Sequence, residues 1–123
     1  MWKKWNPNPQ GLIVGDCTVR SLCAATGQSW DTIHAQLCEL SGQMADMPSA
    51  DRVWWELARR YGFTRRRMID QCPDCYTVSD FAADHPRGVY ILGPPEHAVA
   101  VICGDWWDTW DSGATVPSYY LWR

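Results

Sequence analysis

The sequence predicts a single α+β domain, with helices in the first half and an antiparallel sheet in the second. Between residues 17 and 62, apolar side chains recur every three or four positions, which is the spacing of a helix face packed on a core. From residue 89 onward the apolar runs are short and bounded by Gly and Pro, as strands usually are. The 123 residues are 46% hydrophobic and 20% charged, a composition typical of one globular domain spanning residues 1–123.

Four helices are predicted, each bounded by a capping residue, a glycine or a proline. Residues 1–16 are rich in Asn, Pro and Gly and are expected to form an extended N-terminal arm and loop. The predicted helices run from Cys17 to Gly27, from Ser29 to Gly42, from Ser49 to Gly62, and from Thr77 or Ser79 to just before Pro86.

Four strands are predicted in the last third of the chain, at residues 89–92, 98–103, 106–110 and 118–122. The second of them, which contains Ala-Val-Ala-Val-Ile, is the most strand-like run in the sequence. Helices followed by consecutive strands are typical of α+β domains.

Charge and hydropathy exclude two classes of partner. The formal net charge of -3 predicts no affinity for phosphate backbones, so nucleic acid is not an expected partner. The basic residues at 59–60 and 65–67 are expected to form a solvated face. No segment approaches the ~20 apolar residues of a membrane span, and the N-terminus has no apolar run of the signal-peptide type. We therefore expect no membrane contact and a cytoplasmic location.

The six cysteines are expected to be free thiols, since no secretory signal accompanies them. Cys23 and Cys38 lie among apolar residues of predicted helices, as small core residues do. Cys72 and Cys75 form a Cys-x-x-Cys pair, which is half of a zinc site or a redox motif. A second pair of fitting spacing is missing from the sequence, so a plain loop or a disulfide is favoured, and no metal or cofactor is expected.

Gly15-Asp16-Cys17 places a thiol at the predicted start of the first helix. The first turn of a helix leaves backbone N–H groups without acceptors and carries the positive end of the helix dipole. Both features stabilise a thiolate, which is the reactive form of cysteine. A cysteine near a helix start is nevertheless more often inert, so a catalytic assignment needs a partner from elsewhere in the chain.

His97 is the candidate partner, because it opens the strongest predicted strand and follows the turn formed by residues 93–96. A lone histidine at the start of a strand is usually a polar edge residue. The other two histidines lack this setting, since His34 lies within a predicted helix and His85 precedes a proline in a loop.

Two carboxylates follow on the next predicted strand, in Asp108-Thr-Trp-Asp111-Ser-Gly. A histidine base needs an acceptor for its second ring nitrogen. A two-residue turn at Cys103-Gly104 places Asp108 on the face of His97. A turn at Gly104-Asp105 would instead place Asp111 opposite Ala98, on the other face of the sheet. Gly at the second turn position suits the hairpin turns and favours Asp108. Asp111 would then order the loop that follows the strand.

The order of these motifs resembles papain-like cysteine peptidases, in particular small phage and gut-bacterial members. The motifs that carry the resemblance are Asn6-Pro-Asn-Pro9, Gly15-Asp-Cys17, His97 with the hydrophobic residues after it, and Asp108-Thr-Trp-Asp-Ser-Gly113. They span nearly the whole chain. The resemblance implies a catalytic helix packed on an antiparallel sheet of about four strands, and a Cys-His-Asp triad that forms an acyl-thioenzyme on a peptide, isopeptide or related amide bond.

The resemblance also implies an oxyanion hole, with the Cys17 backbone N–H as one donor and a side chain before the cysteine as the other. Gln10 is the candidate and Asn8 the alternative, because Gln10 precedes Cys17 by one position more than the commonest spacing. Trp106, Trp107 or Trp110 are candidates for the wall of the substrate cleft.

Two other functions stay open from the sequence. A papain-like fold without catalysis could act as a binding module for a phage or bacterial protein, because a fold alone does not determine function. A cell-wall amidase is the other alternative, although the sequence carries neither an export signal nor a wall-binding module. The expected partner of the leading function is a peptide or protein substrate.

Overall fold

Helices and strands interleave along residues 1–68 and 76–123, which are the residues that the computed structural model describes. The helices of this part of the chain are α1 (Cys17–Thr26), α2 (Trp30–Met44), α3 (Asp51–Arg60) and α4 (Val78–Asp84). Its strands are β1 (Trp2–Lys4), β2 (Thr64–Arg67), β3 (Val89–Leu92), β4 (Val99–Ile102), β5 (Asp105–Asp108) and β6 (Tyr119–Trp122). The α+β class is as predicted. Among these helices, none combines the length and the apolar character that a membrane crossing requires.

Local sequence explains where the helices begin and end. The backbone of Gly27 is left-handed, with φ 77°, and ends α1 where the glycine predicts it. The side chain of Ser29 accepts a hydrogen bond from the Thr32 N–H and caps α2. This helix continues past Gly42 to Met44, two residues beyond its predicted end. At the start of α4, Thr77 and its third following residue form a reciprocal capping box.

The sheet is larger than the predicted four antiparallel strands. Its order is β1-β5-β4-β3-β6-β2, and β1 runs parallel to β5. The two additional strands occupy the edges, where backbone pairing on one side suffices and an apolar pattern is not required. β1 lies inside the predicted N-terminal arm, and β2 has the sequence Thr-Arg-Arg-Arg with every side chain exposed. Neither carries the alternation from which strands are predicted. The exposed arginines of β2 form the solvated face expected there.

Two groups of buried side chains pack against the opposite faces of the sheet. Successive residues of β3 point to opposite faces of the sheet. Ile91 packs with α1, α2 and α3 on one face, and Leu92 packs with α4 on the other. We call these the first and the second cluster. Cys17 packs against the first cluster, which makes that side of the sheet the side of the candidate nucleophile.

The hairpin between β4 and β5 has the predicted two-residue turn. Ile102 pairs with Asp105, which leaves Cys103 and Gly104 as the turn residues. Both have left-handed backbones, with φ 50° and φ 83°, as a type I′ turn requires. The predicted register of this hairpin is therefore confirmed.

Replacing Cys103 with Asn should stabilise the protein, because Asn adopts the left-handed conformation with less strain than most residues. We expect the free energy of unfolding to rise by about 0.5–1 kcal/mol in a denaturant titration. The matched control is Cys38→Asn. Cys38 is exposed on α2, so the expectation that it is a core residue was wrong, and Cys and Asn have similar helix propensity at such a position. Equal effects at both positions would contradict the strain argument.

Candidate active site

Cys17 is the first residue of α1, and its half-buried side chain packs against the first cluster. Asp16 occupies the position before the helix, but its carboxylate makes no capping hydrogen bond. That carboxylate instead pairs with Arg20, one turn further along α1. The amides of the first turn, including the N–H of Cys17, are those a helix leaves without intrahelical acceptors. The thiol therefore lies at the electropositive end of the helix.

His97 reaches this thiol from the turn before β4. The His97 N–H donates to the carbonyl of Pro94 at 3.1 Å, which closes the turn. Glu96 has φ 53°, a conformation that a residue with a side chain adopts at a cost and that often occurs at functional sites. The His97 imidazole lies near Cys17, where its hydrogen-bonding capacity and its charge stabilise the thiolate, and the backbone N–H of Ala98 acts in the same direction. The fold thus brings together the two residues that the sequence pairs.

The proximity of Cys17 and His97 shifts the pKa values of both groups in the direction of an ion pair. Burial disfavours the thiolate, but the hydrogen bond and charge of His97, the Ala98 N–H and the charge of Arg20 outweigh it, so that the pKa of Cys17 is lowered. Burial likewise disfavours the imidazolium, yet the hydrogen bonds with Asp108 and Cys17 raise the pKa of His97 to about 9. Near neutral pH both shifts favour a thiolate beside an imidazolium.

Asp108 accepts from the other ring nitrogen of His97, with 2.6 Å between Nε2 and Oδ2. Its side chain is 1% exposed. The Ser112 hydroxyl donates to the same carboxylate oxygen at 2.7 Å, and the Thr109 N–H donates to Oδ1 at 2.8 Å. Burial opposes ionisation, but these donors and the charge of His97 keep the pKa of Asp108 below its ordinary value. The ring of His97 is thus fixed with Nδ1 left for the sulfur.

Asp111 is exposed and lies apart from this arrangement. Its carboxylate accepts from the Trp106 indole N–H at 2.9 Å and from the Gly113 N–H at 3.0 Å. This is the loop-ordering position that the predicted hairpin register gives to Asp111. Of the two candidate carboxylates, the structure places Asp108 at His97.

The candidate cleft residues Trp106 and Trp110 have different surroundings. Trp110 is 47% exposed, and its ring centroid lies 5.0 Å from that of His97. It can therefore both shield the histidine and meet a substrate. Trp106 packs against the second cluster, and its ring lies so close to Gly113 that a Cβ there would clash at 2.6 Å. The role of Trp106 in the cleft stays a prediction, and its ring packs against the second cluster whereas Cys17 packs against the first.

The oxyanion candidates lie in a loop that its own asparagines stabilise. Oδ1 of Asn8 accepts from the backbone N–H groups of Gln10 and Leu12, at 2.9 and 3.2 Å, and the Asn6 side chain donates to the Leu12 carbonyl at 3.0 Å. Gln10 is exposed, and its side-chain amide makes no hydrogen bond within the described part of the chain, whereas its backbone N–H donates to Asn8. The Gln10 side chain is therefore available to a ligand, whereas the oxygen of Asn8 is engaged in the loop.

Sequence reasoning missed an aromatic pair on the same side of the sheet as Cys17. The Trp55 indole N–H donates to the Tyr119 hydroxyl at 3.3 Å, and both rings pack against the first cluster. The Tyr119 ring lies flat on Gly93, where a Cβ would clash at 2.1 Å, so it contacts the turn that carries His97. Burial raises the pKa of Tyr119 to about 12, and the charges of Asp51 and Cys17 act in the same direction. No spacing rule connects these residues, because α3 and β6 meet only in the folded chain.

Sequence reasoning also missed three side chains that donate to the buried carboxylates of Asp16 and Asp108, namely Arg20, Ser112 and Trp30. The side chain of Arg20 is 6% exposed and pairs with both Asp16 and Asp108. The i, i+4 spacing of Asp16 and Arg20 is visible in the sequence and indicates a helix-surface pair, but it gives no sign that the pair is buried.

No family model, curated protein or solved structure was found to match this chain. The described residues hold no group of three or more His, Cys, Asp or Glu side chains that could bind a metal ion. Cys72 and Cys75, for which the sequence favours a plain loop or a disulfide over half a zinc site, lie outside the described residues.

In the folded protein, iodoacetamide should label Cys17 first at mildly acidic pH. Its lowered pKa increases the thiolate fraction at any given pH, whereas burial raises the pKa of Cys23 to about 12. The variant His97→Ala should slow labelling of Cys17 by at least about tenfold, the effect of ~1 pKa unit. Peptide mapping by mass spectrometry identifies the labelled residue. Labelling led by Cys38, Cys72, Cys75 or Cys103, or a rate at Cys17 indifferent to His97→Ala, would remove the case for an activated thiol.

Asp108→Asn and Asp111→Asn form a matched pair for the orienting acid. The first removes the charge that stabilises the His97 imidazolium, so the pKa of His97 should fall and labelling of Cys17 at pH 6 should slow by roughly tenfold. The second changes an exposed loop carboxylate and should leave that rate within about twofold of the parent. A larger effect at Asp111 than at Asp108 would show that the wrong carboxylate has been assigned.

Proposed function

We propose that this chain is a thiol hydrolase of papain-like architecture, which cleaves a peptide, isopeptide or related amide bond. The observation that carries the proposal is the 2.6 Å hydrogen bond between Asp108 and His97, with His97 near a thiol that lies at a helix start. A nucleophile, a base and an orienting acid in hydrogen-bond contact are the arrangement that nucleophilic catalysis needs. The lowered pKa of Cys17 supports a catalytic role over a packing role.

In the proposed mechanism, the Cys17 thiolate attacks the carbonyl carbon of the scissile bond. The bond formed is sulfur to carbon, and the carbonyl π electrons move to oxygen. The oxyanion accepts from the Cys17 backbone N–H and from Gln10, with Asn8 as the alternative. Collapse of the intermediate expels the amine, which takes the proton from Nδ1 of His97. The product of this half is a thioester between the acyl group and Cys17.

Water completes the proposed cycle. Neutral His97 takes a proton from the attacking water, whose oxygen bonds to the thioester carbon. The second tetrahedral intermediate expels the thiolate and releases a carboxylic acid, so that the Cys17–His97 ion pair is restored. Asp108 stays ionised throughout and stabilises the imidazolium whenever it forms. Trp110, exposed beside His97, would contact the substrate and limit the access of water to the ring.

The two alternatives of the sequence analysis are distinguishable from this proposal. A binding module needs neither a thiol of low pKa nor a buried acid on its histidine, and catalysis makes use of both. For a cell-wall amidase, no contact of the described residues favours a glycopeptide over an ordinary peptide. The amide hydrolase therefore stands as the function that the geometry supports best.

The test is cleavage of a proteome-derived peptide library, read by mass spectrometry as new peptide termini. Wild-type protein should generate termini that Cys17→Ala does not, and an acyl adduct on Cys17 should be detectable after acid quenching. Cleavage should fall as the pH rises through about 9, because His97 then loses the proton that the leaving amine needs. Rapid alkylation of Cys17 with identical peptide termini in both samples would support the binding module instead.

A further inference from the structure

We propose that Arg20 is a positioning residue of this site, which joins the nucleophile's loop to the carboxylate behind the histidine. Its guanidinium contacts Asp16, the residue before Cys17, and Asp108, the residue that accepts from His97. The two ends of the candidate triad are thereby connected through one side chain. The inference rests on the proposed function of the same site, and it concerns how the separation of sulfur and imidazole is maintained.

The guanidinium uses different nitrogens for its two carboxylates. One terminal nitrogen donates to Oδ1 of Asp16 and lies 3.4 Å from the carbonyl of Val14, and the other donates to Oδ1 of Asp108 at 3.0 Å. Arg20 is 5% exposed, and both carboxylates are buried. Because Asp16 precedes α1 and Asp108 ends β5, the side chain spans from helix to sheet.

The two carboxylates that pair with Arg20 also accept hydrogen bonds from other donors, which restrict their orientation. The Trp30 indole N–H donates to Oδ2 of Asp16 at 2.9 Å. On Asp108, the Thr109 N–H and Arg20 donate to Oδ1, while His97 and Ser112 donate to Oδ2. Two donors on each oxygen fill the acceptor capacity of a carboxylate. The direction in which Asp108 presents Oδ2 to His97 is then set in part by Arg20.

Stability alone does not account for this arrangement. Burying a guanidinium and two carboxylates costs desolvation that their attraction repays only in good geometry, and apolar residues of similar volume often serve a core as well. The fork of Arg can reach two carboxylates at fixed separation, which the single nitrogen of Lys cannot. Arg20 also lies three residues after Cys17, on the same side of α1. Its charge lowers the pKa of the thiol.

Several elements contribute titratable or charged groups around the thiol. His97 before β4 and Arg20 on α1 act on the thiol, and Asp16 before α1 and Asp108 on β5 pair with Arg20. Tyr119 on β6 is affected by Cys17, by Asp51 on α3 and by Arg65 on β2. Tyr119 stays neutral at the pH values of the test, because burial raises its pKa to about 12. A change in the titration of Cys17 between pH 4 and 8 therefore reports on the ionic groups around Arg20 and His97.

The test compares Arg20→Lys with the parent in the full chain, using the rate of iodoacetamide reaction at Cys17 as a function of pH. Lys keeps the charge but can reach one carboxylate at a time, so His97 should be held less firmly against the thiolate. We call the pH range in which the labelling rate rises with pH the acid limb of the profile. We expect this limb to shift to a pH higher by about one unit, so that labelling at pH values below the limb is roughly tenfold slower. The matched control is Arg52→Lys, which changes an exposed pair with Asp46 and should leave the profile unmoved.

The profile separates positioning from support of the fold. If Arg20 only stabilises the fold, the folded fraction of Arg20→Lys will label with the parent's pH profile, and the proposal is overturned. If Arg20→Lys does not fold, Trp30→Phe replaces it, since that variant frees one oxygen of Asp16 and leaves every charge in place. Its acid limb should shift to a pH higher by about half a unit, which makes labelling below the limb about threefold slower. An unmoved limb would overturn the proposal as well.

Failure of the proposed function gives a different result. A parent protein whose Cys17 reacts no faster than Cys38 at pH 6 would contradict the hydrolase, whatever Arg20 does. A parent with a fast, pH-dependent Cys17 and an unchanged Arg20→Lys profile would retain the hydrolase and reject only the positioning role.

Discussion

The pairing of β4 with β5 sets the chemistry of the site, because it decides which carboxylate meets His97. Ile102 lies opposite Asp105, and each further step along the hairpin advances both strands by one residue. Three steps on, Asp108 arrives beside the chain that leads to His97. A slip of one residue would turn the carboxylate to the other face of the sheet. The left-handed turn residues Cys103 and Gly104 fix the register, so a tight turn determines which carboxylate orients His97.

A buried carboxylate at this position needs donors, and the fold provides them from three directions. The helix side supplies Arg20, the turn before β4 supplies His97, and the loop after β5 supplies Ser112 and the Thr109 N–H. A carboxylate left unpaired in such surroundings would become protonated, because burial disfavours its charge. Since the donors outweigh burial, Asp108 stays ionised and can hold a proton on His97. The electrostatics of the site thus depend on contacts that cross from helix to sheet.

The thiols of this chain show how environment separates chemistry from packing. Cys17 and Cys23 lie on the same helix, six residues apart, and both face the first cluster. Burial dominates at Cys23, where the nearby Asp16 also acts, and its pKa rises to about 12. At Cys17 the burial is opposed by an imidazole, a backbone N–H and a guanidinium, and the pKa falls. The difference comes from the partners and not from the helix that carries both residues.

Much of this arrangement follows from local sequence. Periodicity, caps and glycines determine where the helices lie, and Gly104 after Cys103 determines the hairpin turn and the choice of Asp108 over Asp111. The two edge strands could not be predicted, because backbone pairing with a neighbouring strand forms them without an apolar pattern of their own. Trp106 illustrates the same limit, since the face to which a half-buried aromatic turns depends on what packs there.

The sequence by itself determined the α+β class, the helix start at Cys17 and the register that brings Asp108 towards His97, because these depend on residues near one another in the chain. The tertiary structure decided the proximity of Cys17 to His97, the bridge from Asp16 through Arg20 to Asp108, and the pair of Trp55 and Tyr119. These contacts join residues that are between 64 and 88 positions apart along the chain, or that become buried only when helix and sheet meet. Spacing along a sequence carries no information on such distances, which depend on how the elements pack.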